Sequence, residues 1–150
     1  MKVCKFGGTS MANAEQVKKV CSIVTNDPER RIVVVSAPGK RFDDDTKMTD
    51  MLIDCANKYL QNEDYETVLN NIVSRYSEIA GDLELGDQII MDIENNLRTR
   101  ISLPFGSNEK FMDRMKAAGE DNACIGCGLC EGIAPNTFEM DGSLAKVIED

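Results

Sequence analysis

Histidine and tryptophan are absent from this sequence of 150 residues, and aromatic residues make up only 5% of it. Without histidine, any general base or metal ligand has to come from another residue type, which excludes sites built on imidazole. The hydrophobic core has to consist mainly of aliphatic side chains and the 8 methionines. No stretch approaches the roughly 20 apolar residues of a transmembrane helix, so we expect no membrane partner.

Basic residues are also scarce: 17 Lys and Arg stand against 26 Asp and Glu, which gives a net charge of −9. Nucleic-acid binding needs clustered Lys and Arg on phosphates, so this balance argues against a nucleic-acid partner. The N-terminal residues MKVCKFGG lack the apolar stretch of a secretory signal. We therefore expect a cytoplasmic protein whose 6 cysteines are thiols or metal ligands rather than disulfides.

The N-terminal residues predict a strand–helix–strand unit. Alternation predicts a strand at Lys2–Phe6, and Thr9 or Ser10 is expected to cap a helix over residues 11–24. The β-branched stretch Arg31–Ala37 does not alternate, which is typical of a parallel-sheet strand that is covered on both faces. This pattern indicates the α/β class.

Four helical patterns follow a charged loop at residues 40–47. The first pattern begins near Thr49, and the other three cover residues 65–80, 86–100 and 109–118. They predict a helical excursion after the second strand of an α/β domain.

The composition changes after Asn122, where cysteine and glycine become frequent. A hairpin is predicted there, with strands at 137–140 and 144–148 around a turn at Asp141-Gly142. We expect a domain boundary at about 122/123, with one unit over residues 1–122 and a small appendage over residues 123–150.

The first candidate site is the segment KFGGTS. Gly7 and Gly8 follow a strand and precede a helix, where backbone N–H groups and the helix N-terminus suit a phosphate. Lys5 would place a cation on a transferring phosphoryl group. No Walker A or G-x-G-x-x-G motif is present, and an ordinary tight turn remains an alternative.

Four blocks carry a family resemblance: KFGGTSMANAEQVKKV, VVVSAPGKR, KMTDMLIDCA and KFMDRMKAAGED. In this order they resemble the N-terminal part of aspartokinases of the amino-acid kinase family. The resemblance implies a three-layer α/β sandwich, incomplete here because the family's domain continues past the last block. It implies transfer of the γ-phosphoryl group of ATP, with Mg²⁺, to the β-carboxylate of L-aspartate, the first step of lysine, threonine and methionine biosynthesis.

The same resemblance implies the roles of individual residues. Lys5 matches the catalytic lysine that neutralises the charge of the phosphoryl group. The residues that match the family's ATP phosphate-binding positions are Gly7, Gly8, Thr9 and Ser36, together with Lys5. A simpler role for Ser36 is to satisfy the end of a strand.

On the aspartate side, Thr49 matches a threonine that contacts the substrate, and Glu120 matches the glutamate that receives its ammonium group. A simpler role for Thr49 is that of a helix N-cap, and Glu120 is otherwise one surface carboxylate among many.

The second candidate site is CIGCGLC, which sets Cys124, Cys127 and Cys130 at C-x2-C-x2-C spacing. The bacterial ferredoxin run ends in a fourth cysteine before proline, where this chain has Ala134. The segment resembles the first half of a single-cluster [4Fe–4S] ferredoxin, which implies a cluster and a redox partner. The family's remaining cysteine ligand is missing from residues 131–150, so a [3Fe–4S] cluster and zinc are alternatives.

Three other cysteines are available as donors. We expect Cys4 and Cys21 to be small buried hydrophobic residues, and Cys55 remains open. Three functions are left in competition: an aspartokinase-type enzyme that binds L-aspartate and ATP, an iron–sulfur electron carrier, and a non-catalytic chimeric or truncated product. A homo-oligomer is compatible with each of them.

Overall fold

The computed structural model describes residues 1–123 and the backbone of residues 138–141 and 144–147. The N-terminal segment alternates strand and helix: β1 (Lys2–Lys5), a 3-10 turn (Gly8–Met11), α1 (Ala14–Thr25) and β2 (Arg30–Val34). Four helices follow: α2 (Met48–Leu60), α3 (Glu66–Asp82), α4 (Gln88–Ser102) and α5 (Asn108–Asp121). Two short strands, β3 (Phe138–Asp141) and β4 (Leu144–Val147), come last. The predicted α/β class is confirmed.

Strands β1 and β2 form a parallel pair in which Cys4 lies opposite Val33, as the strand–helix–strand pattern predicts. Helix α1 packs on β2 and buries its valine stripe in the core. The expectation that β2 is covered on both faces was wrong for the described residues. Val34 is 44% exposed and Val3 of β1 is 63% exposed, because α1 covers only one face of this small sheet.

Helix α1 begins later than predicted, and neither Thr9 nor Ser10 caps it. Asn13 is the cap, and its side-chain oxygen accepts a hydrogen bond of 3.0 Å from the backbone N–H of Gln16. The preceding residues form the 3-10 turn instead, which brings Met11 into the core before the helix starts. Met11 is therefore buried by a turn that precedes the helix and not by the helix itself.

Helices α2 to α5 confirm the four predicted helical patterns. Each packs on its neighbour in sequence, and α5 also packs on α2, which closes the group around a common core. Its fully buried residues are mostly aliphatic and methionine, as the composition requires: Met48, Leu52, Cys55, Leu69, Ile72, Tyr76, Leu97, Phe111 and Met115. Helix α5 continues to Asp121, three residues past the predicted end, and this extension carries Glu120.

Strands β3 and β4 pair antiparallel, with Phe138 opposite Val147, which confirms the predicted hairpin. Asp141, predicted in the turn, is instead the last residue of β3 and pairs with Leu144. Across the described ranges, no helix is both long enough and apolar enough to cross a bilayer.

Candidate functional site

The carboxyl ends of β1 and β2 lie at the same edge of the sheet because the strands are parallel. Lys5 pairs with Val34, and the backbone N–H of Phe6 donates to the carbonyl oxygen of Val34 at 2.8 Å. The chain leaves β1 through the glycine pair and leaves β2 through Ser36. The carboxyl edge of a parallel sheet is a usual place for a ligand site in α/β folds.

The two strand-end turns touch through their backbones at Gly8 and Gly39. The backbone N–H of Gly39 donates to the carbonyl oxygen of Gly8 at 2.7 Å. A Cβ atom on Gly39 would lie 2.6 Å from the carbonyl carbon of Gly8, and one on Gly8 would lie 2.9 Å from the carbonyl oxygen of Ala37. Backbone atoms cannot move aside cheaply, so this approach requires glycine at both positions.

The C-terminal end of α5 reaches the same edge through Gly119. A Cβ atom there would lie 2.8 Å from the Cβ of Ala37 and 3.0 Å from a methyl carbon of Leu52. The buried hydroxyl of Tyr76 donates to the carbonyl oxygen of Gly119 at 3.4 Å. The small residues Ala37 and Gly119 thus let α5 approach the end of β2 and place Glu120 beside it.

These contacts enclose a cleft of about 450 Å³, which we call the strand-end cleft. Its lining comes from both strand-end turns, the start of α2 and the end of α5: Gly8, Thr9, Ser36, Ala37, Pro38, Gly39, Lys40, Lys47, Thr49 and Glu120. Five of the seven residues predicted for the kinase-like site, which lie far apart in sequence, therefore line one cleft.

The charges of the cleft lining are mixed. Lys40 and Lys47 supply two cations, and Glu120 supplies one carboxylate. An ammonium group would be attracted to the carboxylate, and carboxylate or phosphate groups would be attracted to the lysines. Such a lining suits a ligand that carries both signs of charge.

Lys5 and Gly7 do not belong to the lining of this cleft. Lys5 is exposed at the last position of β1, and the carbonyl oxygen of Gly7 accepts a hydrogen bond of 3.0 Å from the backbone N–H of Ser10. Both residues nevertheless adjoin the cleft in the chain, one to three positions before Gly8.

The positions of Thr49 and Glu120 bear on the simpler roles considered for them, a helix N-cap and a surface carboxylate. Helix α2 starts at Met48, and the residue before it, Lys47, makes no side-chain capping bond. Thr49 is therefore inside the first turn, and its alternative role as N-cap was wrong. Glu120 is exposed, as a surface carboxylate would be, but it also borders the cleft.

Five lining residues were not predicted from the sequence: Ala37, Pro38, Gly39, Lys40 and Lys47. The signal was present in SAPGK, where a glycine follows the second strand as the glycine pair follows the first. Because the carboxyl ends of parallel strands meet, that glycine marks the second half of the same turn cluster.

The three cysteines of the second candidate site, Cys124, Cys127 and Cys130, lie outside the described residues. Within the described part of the chain, no group of three acidic or cysteine side chains could hold a metal ion. Cys4 and Cys21 are half-buried rather than fully buried, because the sheet and α1 are covered on one side only. Cys55 is fully buried, and burial raises the pKa of its thiol to about 11.

Two family models match this chain. The model of the amino acid kinase family matches residues 1–124, and the model of the 4Fe-4S single cluster domain of ferredoxin I matches residues 120–150. Aspartokinase 3 of Bacillus subtilis is 48% identical over 122 residues, which are 81% of this chain and 27% of that protein. A ferredoxin of Thermococcus litoralis is 56% identical over 27 residues, which are 18% of this chain and 46% of that protein.

Solved aspartokinase structures resemble the part of the chain that the kinase family model matches. Aspartate kinase of Clostridium acetobutylicum superposes with a TM-score of 0.73 and 31% identity over 82% of this chain and 27% of its own. Aspartokinase III of E. coli, in complex with aspartate and ADP, has a TM-score of 0.62 at 22% identity, which indicates a shared fold. The superposition covers 89% of this chain and 28% of the E. coli enzyme. The chain thus spans about a quarter of the length of the aspartokinases that it resembles.

Proposed function

This chain belongs to the amino acid kinase family, and on that premise we propose that its strand-end cleft is the L-aspartate site of an aspartokinase. Residues 1–122 would form the N-terminal part of the kinase domain. The proposed reaction opens the biosynthesis of lysine, threonine and methionine in the cytoplasm. The observation that carries the proposal is that Thr49 and Glu120 line one cleft with Gly8, Thr9 and Ser36.

The charges of the cleft support L-aspartate as the ligand. The carboxylate of Glu120 would bind the substrate ammonium group, and the hydroxyl of Thr49 would donate to a substrate carboxylate. Lys40 and Lys47 border the same space and would balance the remaining negative charge. This arrangement would leave the β-carboxylate facing the glycine turn.

The glycine turn would hold the phosphate groups of the second substrate, ATP with Mg²⁺. A β-carboxylate oxygen would attack the γ-phosphorus, the bond from that phosphorus to the bridging oxygen would break, and ADP would leave. No proton is transferred in this step. The role of Lys5 would be to neutralise the negative charge of the moving phosphoryl group, since positioning and charge stabilisation supply most of the catalysis in phosphoryl transfer.

Calorimetric titration of the purified chain with L-aspartate tests the proposal directly, because the two side chains proposed to contact the substrate, Thr49 and Glu120, both line the cleft. Glu120→Gln should weaken binding about 10- to 100-fold, since it removes one charge-assisted hydrogen bond. The matched control is Glu109→Gln, which changes an exposed glutamate in the first turn of the same helix. Absence of L-aspartate binding to the unaltered chain, or an equal loss in both variants, would reject the proposal.

We infer a second function for residues 123–150, where the ferredoxin family match coincides with the cysteine spacing. Cys124, Cys127 and Cys130 provide three thiolates, one fewer than a closed [4Fe–4S] site uses. That donor set fits a [3Fe–4S] cluster, or a [4Fe–4S] cluster with one open iron. Cys55 is a poor fourth donor because its thiol is fully buried and its pKa is raised. A bound cluster would exchange single electrons with a redox partner.

Iron and acid-labile sulfide, measured after anaerobic reconstitution, test this second function. Cys127→Ser should remove most of both, whereas Cys21→Ser in the kinase-like part should leave both unchanged. Equal iron content in the three proteins would mean that these cysteines hold no cluster.

A further inference from the structure

Arg75 of α3 is a charged residue in the protein interior, with only 4% of its surface exposed. Burial lowers the pKa of its guanidinium, although Asp45 beside it acts in the opposite direction. Removing a guanidinium from water is unfavourable unless partners replace its hydration. The partners of Arg75 therefore indicate what its charge does.

Those partners lie in the loop between β2 and α2. One terminal nitrogen, Nη1, donates to the carbonyl oxygen of Thr46, and the other, Nη2, donates to the carbonyl oxygen of Gly39. The two carbonyls are at opposite ends of the loop, so a single side chain ties both ends together. Nη2 also lies 3.4 Å from a carboxylate oxygen of Asp45.

A second arginine closes the loop from the outside. Arg41 donates to Asp45 from its backbone N–H at 2.8 Å, from Nε at 2.8 Å and from Nη2 at 3.0 Å. Its Nη1 reaches Glu78 of α3 at 2.9 Å, one turn along the helix from Arg75. Asp45 thus lies between two guanidiniums, which hold its pKa well below its usual range.

The loop held in this way forms one wall of the strand-end cleft. Gly39, Lys40 and Lys47 line the cleft, and the loop ends where α2 presents Thr49. The backbone N–H of Met48 donates to the carbonyl oxygen of Pro38 at 3.0 Å, which closes the base of the loop. Arg75 itself is not part of the cleft lining, so any effect on a ligand has to pass through the loop.

We propose that Arg75 is a positioning residue that holds residues 39–47 as a wall of the strand-end cleft, and thereby sets the affinity of the cleft for an acidic ligand. The effect on L-aspartate rests on the proposed function, whereas the effect on the loop does not. An arginine that served only the stability of the core would loosen the whole chain and would not act selectively on this loop.

Arg114 of α5 is a matched control for the chemistry of Arg75. It donates to the carbonyl oxygens of Leu103 and Pro104, so it also ties a loop to a helix. The Nε atoms of Arg75 and Arg114 are both buried without a protein partner within the described residues. Arg114 holds the loop at the start of α5, however, and is separated from Glu120 by a helical rise of about 9 Å.

The test compares Arg75→Met, Arg75→Lys and Arg114→Met with the unaltered chain under native conditions. Trypsin cleavage after Lys40, Arg41 and Lys47, followed by mass spectrometry, reports opening of the loop. Cleavage after Lys19 of α1, which contacts neither arginine, serves as the internal reference. Arg75→Met should accelerate cleavage in the loop about 10- to 100-fold, as expected when hydrogen bonds to a charged group are lost. Arg75→Lys should lie in between, and Arg114→Met should leave the loop unchanged.

Titration with L-aspartate is the second measurement on the same proteins. Arg75→Met should weaken binding about 10-fold or more, because a displaced wall misplaces the groups that touch the ligand. Arg114→Met should not weaken L-aspartate binding, even if Arg75→Met and Arg114→Met lower the melting temperature equally. If Arg75→Met fails to fold, Arg75→Lys carries the comparison.

Equal loop cleavage in the Arg75 and Arg114 variants would overturn the proposal, and so would faster loop cleavage without weaker binding. If the unaltered chain does not bind L-aspartate, the proposed function and the affinity effect both fail. Loop cleavage then decides separately whether Arg75 holds the wall.

Discussion

The backbone N–H of Gly39 donates a hydrogen bond of 2.7 Å to the carbonyl oxygen of Gly8. These residues are separated by α1 and β2 in the chain, yet their backbones touch because the turns after two parallel strands meet at one edge. The strand-end cleft lies at this contact, so its shape depends on the absence of side chains at both positions.

Gly39→Ala should separate the two turns, because the new Cβ atom would lie 2.6 Å from a backbone carbon of Gly8. We expect a loss of about 1–3 kcal/mol in the free energy of unfolding, the range for overpacking a close contact. Denaturant titration measures this loss. The control is Gly81→Ala in α3, where a Cβ atom meets nothing within 4 Å. That variant should be neutral or more stable by about 0.5–1 kcal/mol, since alanine favours a helix over glycine.

Lys5→Ala should reduce ATP-dependent formation of aspartyl phosphate by more than about 100-fold, because the charge on the moving phosphoryl group would lose its cation. The product is trapped with hydroxylamine and measured as the hydroxamate. Lys19→Ala is the control, because Lys19 is exposed on α1 and its ion pair is with Glu15 on the same helix. A milder loss in Lys5→Ala would reject Lys5 as the catalytic cation. Absence of product from the unaltered chain would mean that residues 1–122 do not form a working kinase site by themselves.

Asp45 should make the stability of the chain sensitive to acid. Its folded pKa lies below the usual value because Arg41, backbone N–H groups and Arg75 stabilise the carboxylate. The resulting stabilisation is therefore fully present above the unfolded pKa of about 3.9 and is lost as the pH falls toward the folded pKa.

Denaturant titrations of the unaltered chain and Asp45→Asn between pH 7 and pH 3 measure this effect. At pH 7 the variant should be less stable by about 1–3 kcal/mol, as for a hydrogen bond to a charged group. The difference should shrink below about pH 4 as the carboxylate becomes protonated. A difference that stays constant over this range would show that charge is not the cause. Asp44→Asn, which alters an exposed carboxylate of the same loop, controls for the change in net charge.

Cys55 should resist alkylation in the folded chain. It is fully buried, and its pKa of about 11 keeps the thiol protonated at neutral pH. Iodoacetamide should therefore modify Cys4 and Cys21, which are half-buried, at least about 10-fold faster than Cys55. Peptide mass spectrometry after timed labelling distinguishes the three sites. Rapid labelling of Cys55 would mean that the core between α2 and α3 opens locally. In denaturant, Cys55 should react as fast as Cys4 and Cys21.

Local sequence was sufficient for much of the fold. Apolar residues at helical spacing predicted α2 to α5, and β-branched residues predicted β2, because a side chain buried on one face of an element recurs with the period of that element. Sequence was insufficient at the entry to α1. There a 3-10 turn places Met11 in the core, and Asn13 is the cap in place of Thr9 or Ser10.

The residue types available to the site can be read from the sequence: the glycine pair, Ser36, Thr49 and Glu120, together with the three cysteines at C-x2-C-x2-C spacing after Asn122. Which of these residues lie next to each other depends on how the helices and strands pack. Gly119 must contact Ala37 before Glu120 can border a turn more than 80 positions earlier in the chain. Arg75 reaches the loop that carries Lys40 and Lys47 from a helix, with hydrogen bonds that span 29 and 36 positions of the chain. Both contacts depend on packing between elements that are distant in sequence, and local periodicity carries no information about such packing.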